Sequence, residues 1–249
     1  MEKIVFMGGA GEELAARLDK PEGGIKAYAL FAHCFTCTKD VFAASRIASY
    51  LKARGIAVFR FDFTGLGASE GDFANTNFSS NVEDLIAAAN YMRAKLQAPS
   101  MLIGHSLGGS AVLMAAEDVP ECKVVVTLGS PADIAHVAHQ FEKHRDKIMK
   151  DGEAEVQLVG RPFKIKKQFI EDIESIKLEN SVKGLKRALL VMHAPLDNVV
   201  GIENAAKIFS WAKHPKSYIS LDDADHLISR REDAEYAANM IATWTEKYI

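Results

Sequence analysis

The chain has 249 residues, 48% hydrophobic and 25% charged, the balance of a globular protein of one-domain size. Its 30 basic and 33 acidic residues leave a net charge of -3 and no basic stripe, which argues against nucleic acid as a partner. No apolar run approaches the ~18 residues of a membrane helix, the N-terminal apolar stretch is too short for a secretory signal, and three cysteines are an odd, small number for a disulfide framework. A cytoplasmic enzyme with no membrane partner is therefore expected.

Glu2–Met7 reads as a first strand, and it can pair with Glu13–Leu18 as an antiparallel hairpin at a sheet edge. Short apolar or β-branched runs follow at Ala27–Ala32, Ile56–Phe61, Met101–Gly104, Lys123–Leu128, Ala188–His193 and Lys216–Leu221. Near-continuous apolar strands mark a parallel sheet covered on both faces. Helical patterns lie between them. Val41–Arg54 carries Val41, Ala44, Ile47, Ala48 and Leu51 on one face, and 79–96 carries Val82, Leu85, Ile86, Ala89 and Met92. Ala205–Ala212 and Glu232–Tyr248 behave similarly. The alternation predicts an α/β fold with a doubly wound, mostly parallel sheet, as one domain over 1–249.

Residues 135–183 break this rhythm and are highly charged. Within them Glu155–Lys166 reads as a hairpin turning at Gly160-Arg161-Pro162, and Gln168–Ile176 as a helix. So long an insertion between core strands is usually functional, and a small cap over the active site is expected.

The chemistry starts at Ser100-Met101-Leu102-Ile103-Gly104-His105-Ser106-Leu107-Gly108-Gly109. An apolar strand runs into G-x-S-x-G and then into the helical stretch Ala111–Ala116, the context in which a sharp turn lifts a nucleophilic serine above the sheet. A serine hydroxyl is a weak nucleophile and needs a base oriented by an acid. Asp197 and His226 follow successive core strands at the sheet edge where parallel-sheet proteins build their sites. They fit the chain order Ser, acid, His. Asp222, Asp223 and Asp225 lie nearer His226 in sequence, and Asp133 is an alternative acid one strand early. His105 is expected to point away from the hydroxyl, and His33 and His193 to bond loop backbone. His136, His139 and His144 have no evident further metal ligand, so no metal or cofactor is expected. The oxyanion donors are expected to be the backbone N–H groups of Leu107 and Phe35.

These motifs, with Ala32–Asp40 and Phe61–Gly71, give the chain a resemblance to the α/β-hydrolase superfamily over nearly its whole length. It resembles small bacterial serine esterases, the hydrolase domain that some bacteria fuse to an OsmC-like domain, and the feruloyl (cinnamoyl) esterases. The resemblance implies hydrolysis of esters with a short acyl chain or an aromatic acid. Cys34 replaces the glycine usual before the oxyanion residue, and His193-Ala194 replaces the usual His-Gly. No OsmC-like segment is present, so the chain reads as a stand-alone hydrolase or one domain of a longer protein.

Cys34 and Cys37 form C-x-x-C without a thioredoxin-like pattern or further zinc ligands, and are expected as two small half-buried residues, with a thiol that modulates activity under oxidation as the alternative. The expected partner is a small-molecule ester, and the sequence is compatible with a homodimer. A thioesterase or peptidase would use the same three side chains. The basic cluster Arg161, Lys164, Lys166 and Lys167 would suit an anionic substrate such as a CoA ester, or simply form a solvated face. A non-catalytic binding protein is the rival from another class.

Overall fold

A computed structural model describes residues 2–249. The chain opens with β1 (Glu2–Met7) and β2 (Glu13–Asp19), followed by β3 (Ala27–Ala32), α1 (Phe42–Ala53) and β4 (Ile56–Phe61). Next come α2 (Phe78–Lys95), β5 (Met101–His105), α3 (Leu107–Ala115) and β6 (Val124–Leu128). The inserted region contains a 3-10 segment (Ile134–His144), α4 (Arg145–Asp151), β7 (Glu153–Leu158), β8 (Arg161–Lys166), α5 (Lys167–Ser175) and α6 (Leu178–Gly184). The chain then returns through β9 (Ala188–His193), α7 (Glu203–Trp211), β10 (Lys216–Ser220) and α8 (Arg231–Thr245).

The main sheet has eight strands in the order β1-β2-β4-β3-β5-β6-β9-β10. The edge hairpin β1–β2 is antiparallel and joins β4 antiparallel; the other neighbours are all parallel. This is the α/β-hydrolase architecture. Period-two alternation explains why the central strands carry so few polar residues. Leu30, Leu102, Val125, Leu189 and Val191 face the core formed with α2, α3, α7 and the inserted region. Phe31, Ile103, Val126, Leu190 and Met192 face the opposite core, formed with α1 and α8. Each such fully buried side chain contributes roughly 1.5–3 kcal/mol over its exposed state.

The β7–β8 hairpin exists, but its turn is Val159-Gly160, with φ of 50° and 72°, rather than Gly160-Arg161-Pro162. Positive φ at both central residues is the geometry of a two-residue hairpin turn. Arg161 and Pro162 belong to β8, a strand with only one partner, where proline is tolerated.

The inserted region is tied down by polar and aromatic contacts. Asp172 of α5 accepts the Ser79 amide at 2.9 Å and its hydroxyl at 2.6 Å, capping the first turn of α2. The Phe169 ring lies 5.4 Å from that of Phe35, and Phe163 5.0 Å from Phe73. Among the described residues no helix is long and apolar enough to cross a membrane.

Candidate active site

Ser106 occupies the turn between β5 and α3 at φ 53° and ψ -127°, a conformation that costs a non-glycine residue about 1–3 kcal/mol. Close packing holds it there. The Ser106 amide donates to the Leu128 carbonyl at 2.8 Å. A Cβ on Gly104 would lie 2.3 Å from the Gly108 carbonyl oxygen, and one on Gly108 would lie 2.4 Å from that of His33. Both glycines are therefore required by the approach of backbone to backbone, and the serine between them is pushed out of the sheet.

The loops after β9 and β10 bring two partners to it. His226 Nε2 lies 3.0 Å from Ser106 Oγ, and His226 Nδ1 lies 2.7 Å from Asp197 Oδ2. The backbone amides of Val199 and Val200 each donate to Asp197 Oδ1 at 2.9 Å. Burial would raise the Asp197 carboxyl. The bond from His226 and the two amides outweigh it and hold the group below the usual carboxylate range. All three side chains are buried.

Three of the competing acids are engaged elsewhere, and the fourth, Asp223, is exposed. Asp225 accepts the Ser229 amide at 2.8 Å, Asp222 accepts the Ser220 hydroxyl, and Asp133 caps Ala135 N at 3.1 Å. His105 turns under the site and donates from Nε2 to the His226 carbonyl at 2.7 Å. Burial, reinforced by His226, pushes its imidazole down to about 4. His33 donates to the Cys34 carbonyl at 2.8 Å and His193 to the Val200 carbonyl at 2.7 Å; burial lowers both. His136 donates to the Val199 carbonyl at 2.7 Å.

Among the described residues, neither the Phe35 nor the Leu107 N–H donates to another protein group. Both residues line a cavity of about 10 Å³, about the size of one water, with Phe63, Phe73, Phe78 and Asn81. Asn81 was not foreseen; as an isolated asparagine in the first turns of a helix it carries no sequence signal.

The cysteines correct the sequence expectation. Cys34 and Cys37 form a disulfide, with Cα atoms 5.3 Å apart, while Cys122 is buried alone in the core. The Cys37 amide bonds the Cys34 carbonyl at 3.1 Å, and this turn brings the two Cα atoms within bridging range. An odd total says nothing about such a local pair. The basic cluster is dispersed in salt bridges and hydrogen bonds. Lys164 pairs with Glu153 at 2.8 Å, Lys167 with Glu171 at 3.1 Å, Lys166 donates to Asn75 at 2.6 Å and Arg161 to the Thr36 carbonyl at 2.8 Å.

A second layer of buried charge escaped the sequence. Asp62 accepts the Lys39 amide at 2.6 Å, the Lys39 ammonium at 2.5 Å and the Ala68 amide at 2.9 Å, fastening the loop after β3 to the loop after β4. Asp84 gathers the Thr64 amide at 3.0 Å and hydroxyl at 2.8 Å on the same loop. Their one sequence trace is the glycine-rich run Phe61–Gly71, where a Cβ on Gly67 would strike Asp62 Oδ2 at 2.2 Å.

Fold and site together define a serine hydrolase of the α/β-hydrolase class. Residues 23–158 match the hydrolase family described as serine aminopeptidase, S33, and the chain belongs to that family. It is similar to the esterase domain of a Rhodothermus marinus protein, with 48% identity, a TM-score of 0.80 and coverage of 99% of this chain and 98% of that one. Palmitoyl-protein thioesterase ABHD10 of Rattus norvegicus is 31% identical over 202 residues, which are 76% of this chain and 65% of that protein. Est1E of Butyrivibrio proteoclasticus, solved with ferulic acid, shares the fold at 20% identity and a TM-score of 0.81, with 98% of this chain and 99% of that one covered.

Proposed function

We propose that the chain is a carboxylesterase that hydrolyses esters of a short acyl chain or an aromatic acid through an acyl-enzyme on Ser106. The observation that carries this reading is the unbroken line from Ser106 Oγ to His226 Nε2, 3.0 Å, and from His226 Nδ1 to Asp197 Oδ2, 2.7 Å. His226 takes the Ser106 proton as Oγ attacks the ester carbonyl. Asp197 holds the imidazole in the required tautomer and stabilises the imidazolium. The Phe35 and Leu107 amides, free of protein acceptors, receive the oxyanion. His226 returns the proton to the departing alcohol. Water, deprotonated by the same imidazole, then releases the acid. Because the imidazole activates the nucleophile, the reaction calls for no cofactor.

The cavity beside Phe35 and Leu107, about the size of one water, has room for the carbonyl oxygen of an ester. Similarity to the Rhodothermus marinus esterase domain supports an oxygen ester, and the ferulic acid bound to Est1E supports an aromatic acid as an alternative acyl part. An aminopeptidase needs a carboxylate for the substrate ammonium. Among the described residues no Asp or Glu lines this cavity, and Asp197 is already saturated. Thioester hydrolysis is the second reading, favoured by the identity to the rat thioesterase.

A panel of p-nitrophenyl esters, with acetyl-CoA alongside, tests both readings on wild type and Ser106→Ala. The expected result is turnover of short esters that falls at least about 10³-fold in the variant. Ester hydrolysis no faster in wild type than in Ser106→Ala overturns the esterase reading. Preferred turnover of acetyl-CoA moves it to a thioesterase.

A further inference from the structure

Phe35 stands inside a four-residue ring closed by the Cys34–Cys37 disulfide. Within the ring the Thr36 hydroxyl donates to the Phe35 carbonyl at 2.7 Å, and from outside His33 holds the Cys34 carbonyl and Arg161 the Thr36 carbonyl. The Cys37 amide bonds the Cys34 carbonyl at 3.1 Å, and among the described residues the Phe35 and Thr36 amides have no protein acceptor. Thr36 is held at φ 58°, in the left-handed region that a β-branched residue avoids. The ring is anchored at both flanks. β3 ends at Ala32 before it, and the Lys39 amide bonds Asp62 at 2.6 Å after it. On opening of the ring Thr36 is expected to relax toward negative φ, turning the peptide planes before it and with them the Phe35 N–H.

We propose that the Cys34–Cys37 disulfide is a positioning device for the oxyanion donor at Phe35, so that turnover depends on the oxidation state of this pair. The inference rests on the esterase reading above. Cys34 is buried and Cys37 half-buried, so the outer sulfur is the one a reductant reaches. A thiolate of a dithiol attacks Cys37 Sγ, the Cys34–Cys37 bond breaks and Cys34 leaves as thiolate. The second thiol of the reductant then displaces Cys37 and closes its own disulfide. Two electrons and two protons pass to the enzyme, which gains two thiols, and the dithiol becomes a cyclic disulfide. Reduced enzyme keeps its fold and its nucleophile and loses the aim of one oxyanion donor. Losing such a donor outright costs about 10²–10³-fold in kcat, so misaligning it should cost about 10–100-fold with KM little changed.

The test uses wild-type protein before and after dithiothreitol, with far-UV circular dichroism to verify the fold. Thiol titration in denaturant should find one thiol per chain before reduction, from Cys122, and three after. With a p-nitrophenyl ester, kcat should fall about 10–100-fold and recover on reoxidation. Cys34→Ser/Cys37→Ser should show the low kcat and ignore dithiothreitol. Amide hydrogen exchange over residues 33–39 should accelerate on reduction. Three thiols before reduction, or an unchanged kcat in protein that gains two thiols, overturns the proposal. Ester turnover independent of Ser106 overturns the esterase reading instead. In that case the exchange rate still decides whether the disulfide fixes the loop, and unchanged exchange overturns that role.

Discussion

Arg161 of β8 donates to the Thr36 carbonyl at 2.8 Å, so the inserted hairpin reaches across and grips the loop that carries Phe35. Thr36 is the left-handed residue of that loop, and among the described residues Arg161 supplies the side-chain hydrogen bond that the insertion makes to it. A charge-assisted hydrogen bond of this kind is worth about 1.5–3 kcal/mol, and less when water reaches it, as it does at the exposed Arg161. Arg161→Ala should therefore lower kcat by about three- to tenfold and leave the fold intact. Arg161→Lys should fall between the two. Steady-state kinetics on a short p-nitrophenyl ester decides, and an unchanged kcat in Arg161→Ala would show that the grip has no bearing on turnover.

Asp197 is saturated on one oxygen by Val199 and Val200 and points the other at His226. In Asp197→Asn the amide oxygen is expected to keep the two backbone donors, which turns the NH2 group toward His226 Nδ1. The imidazole then has to accept at Nδ1, its proton moves to Nε2, and Ser106 loses its base. The expected result is a folded protein with kcat lower by about 10³–10⁴. A loss below tenfold would remove Asp197 from the proposed machinery.

The parts of this molecule that sequence reading reached are those with a local cause. Ala27–Ala32 and Ile56–Phe61 coincide with β3 and β4 because strands buried on both faces leave an apolar run with clear ends. The elbow at Ser106 was visible because two glycines, a strand and a helix are contiguous. The remainder depends on groups that meet only in space. Arg60 sits in an otherwise apolar strand, and its salt bridge to Asp19 at 2.7 Å spans forty-one positions. The Lys39–Asp62 pair and the grip of Arg161 on Thr36 have the same character. The disulfide is the exception, a local feature whose meaning lay in the turn between its cysteines rather than in their number.

The cavity beside the oxyanion donors is small because aromatic rings fill its surroundings. The Phe73 ring lies 5.8 Å from Phe35 and 5.0 Å from Phe163. Phe73→Ala removes one wall. The substitution should cost about 3–5 kcal/mol of stability. It should also raise kcat/KM for hexanoate relative to acetate by about tenfold, since each methylene that gains a dry contact is worth about 0.8 kcal/mol. A p-nitrophenyl ester series measures the ratio, and an unchanged preference would mean that the acyl group binds elsewhere.

His105 should set a limit on acid stability. Its Nε2 donates to the His226 carbonyl, its Nδ1 has no partner, and it is fully buried as the neutral imidazole. Its pKa falls from 6.5 when unfolded to about 4 in the fold, so between these values the unfolded chain binds a proton that the native chain refuses. Stability from this group is therefore complete above pH 6.5 and is lost progressively as the pH drops toward 4, by roughly 3 kcal/mol in all. His33 and His193 are lowered by burial and act with the same sign. Asp84, raised by burial, opposes them, so the difference between two proteins is the informative quantity. Urea unfolding at pH 7 and pH 4.5 should show a smaller loss in His105→Gln than in wild type, because glutamine can donate to the same carbonyl and cannot titrate. Equal losses in the two proteins would mean that the His105 imidazole is protonated in the native state without cost.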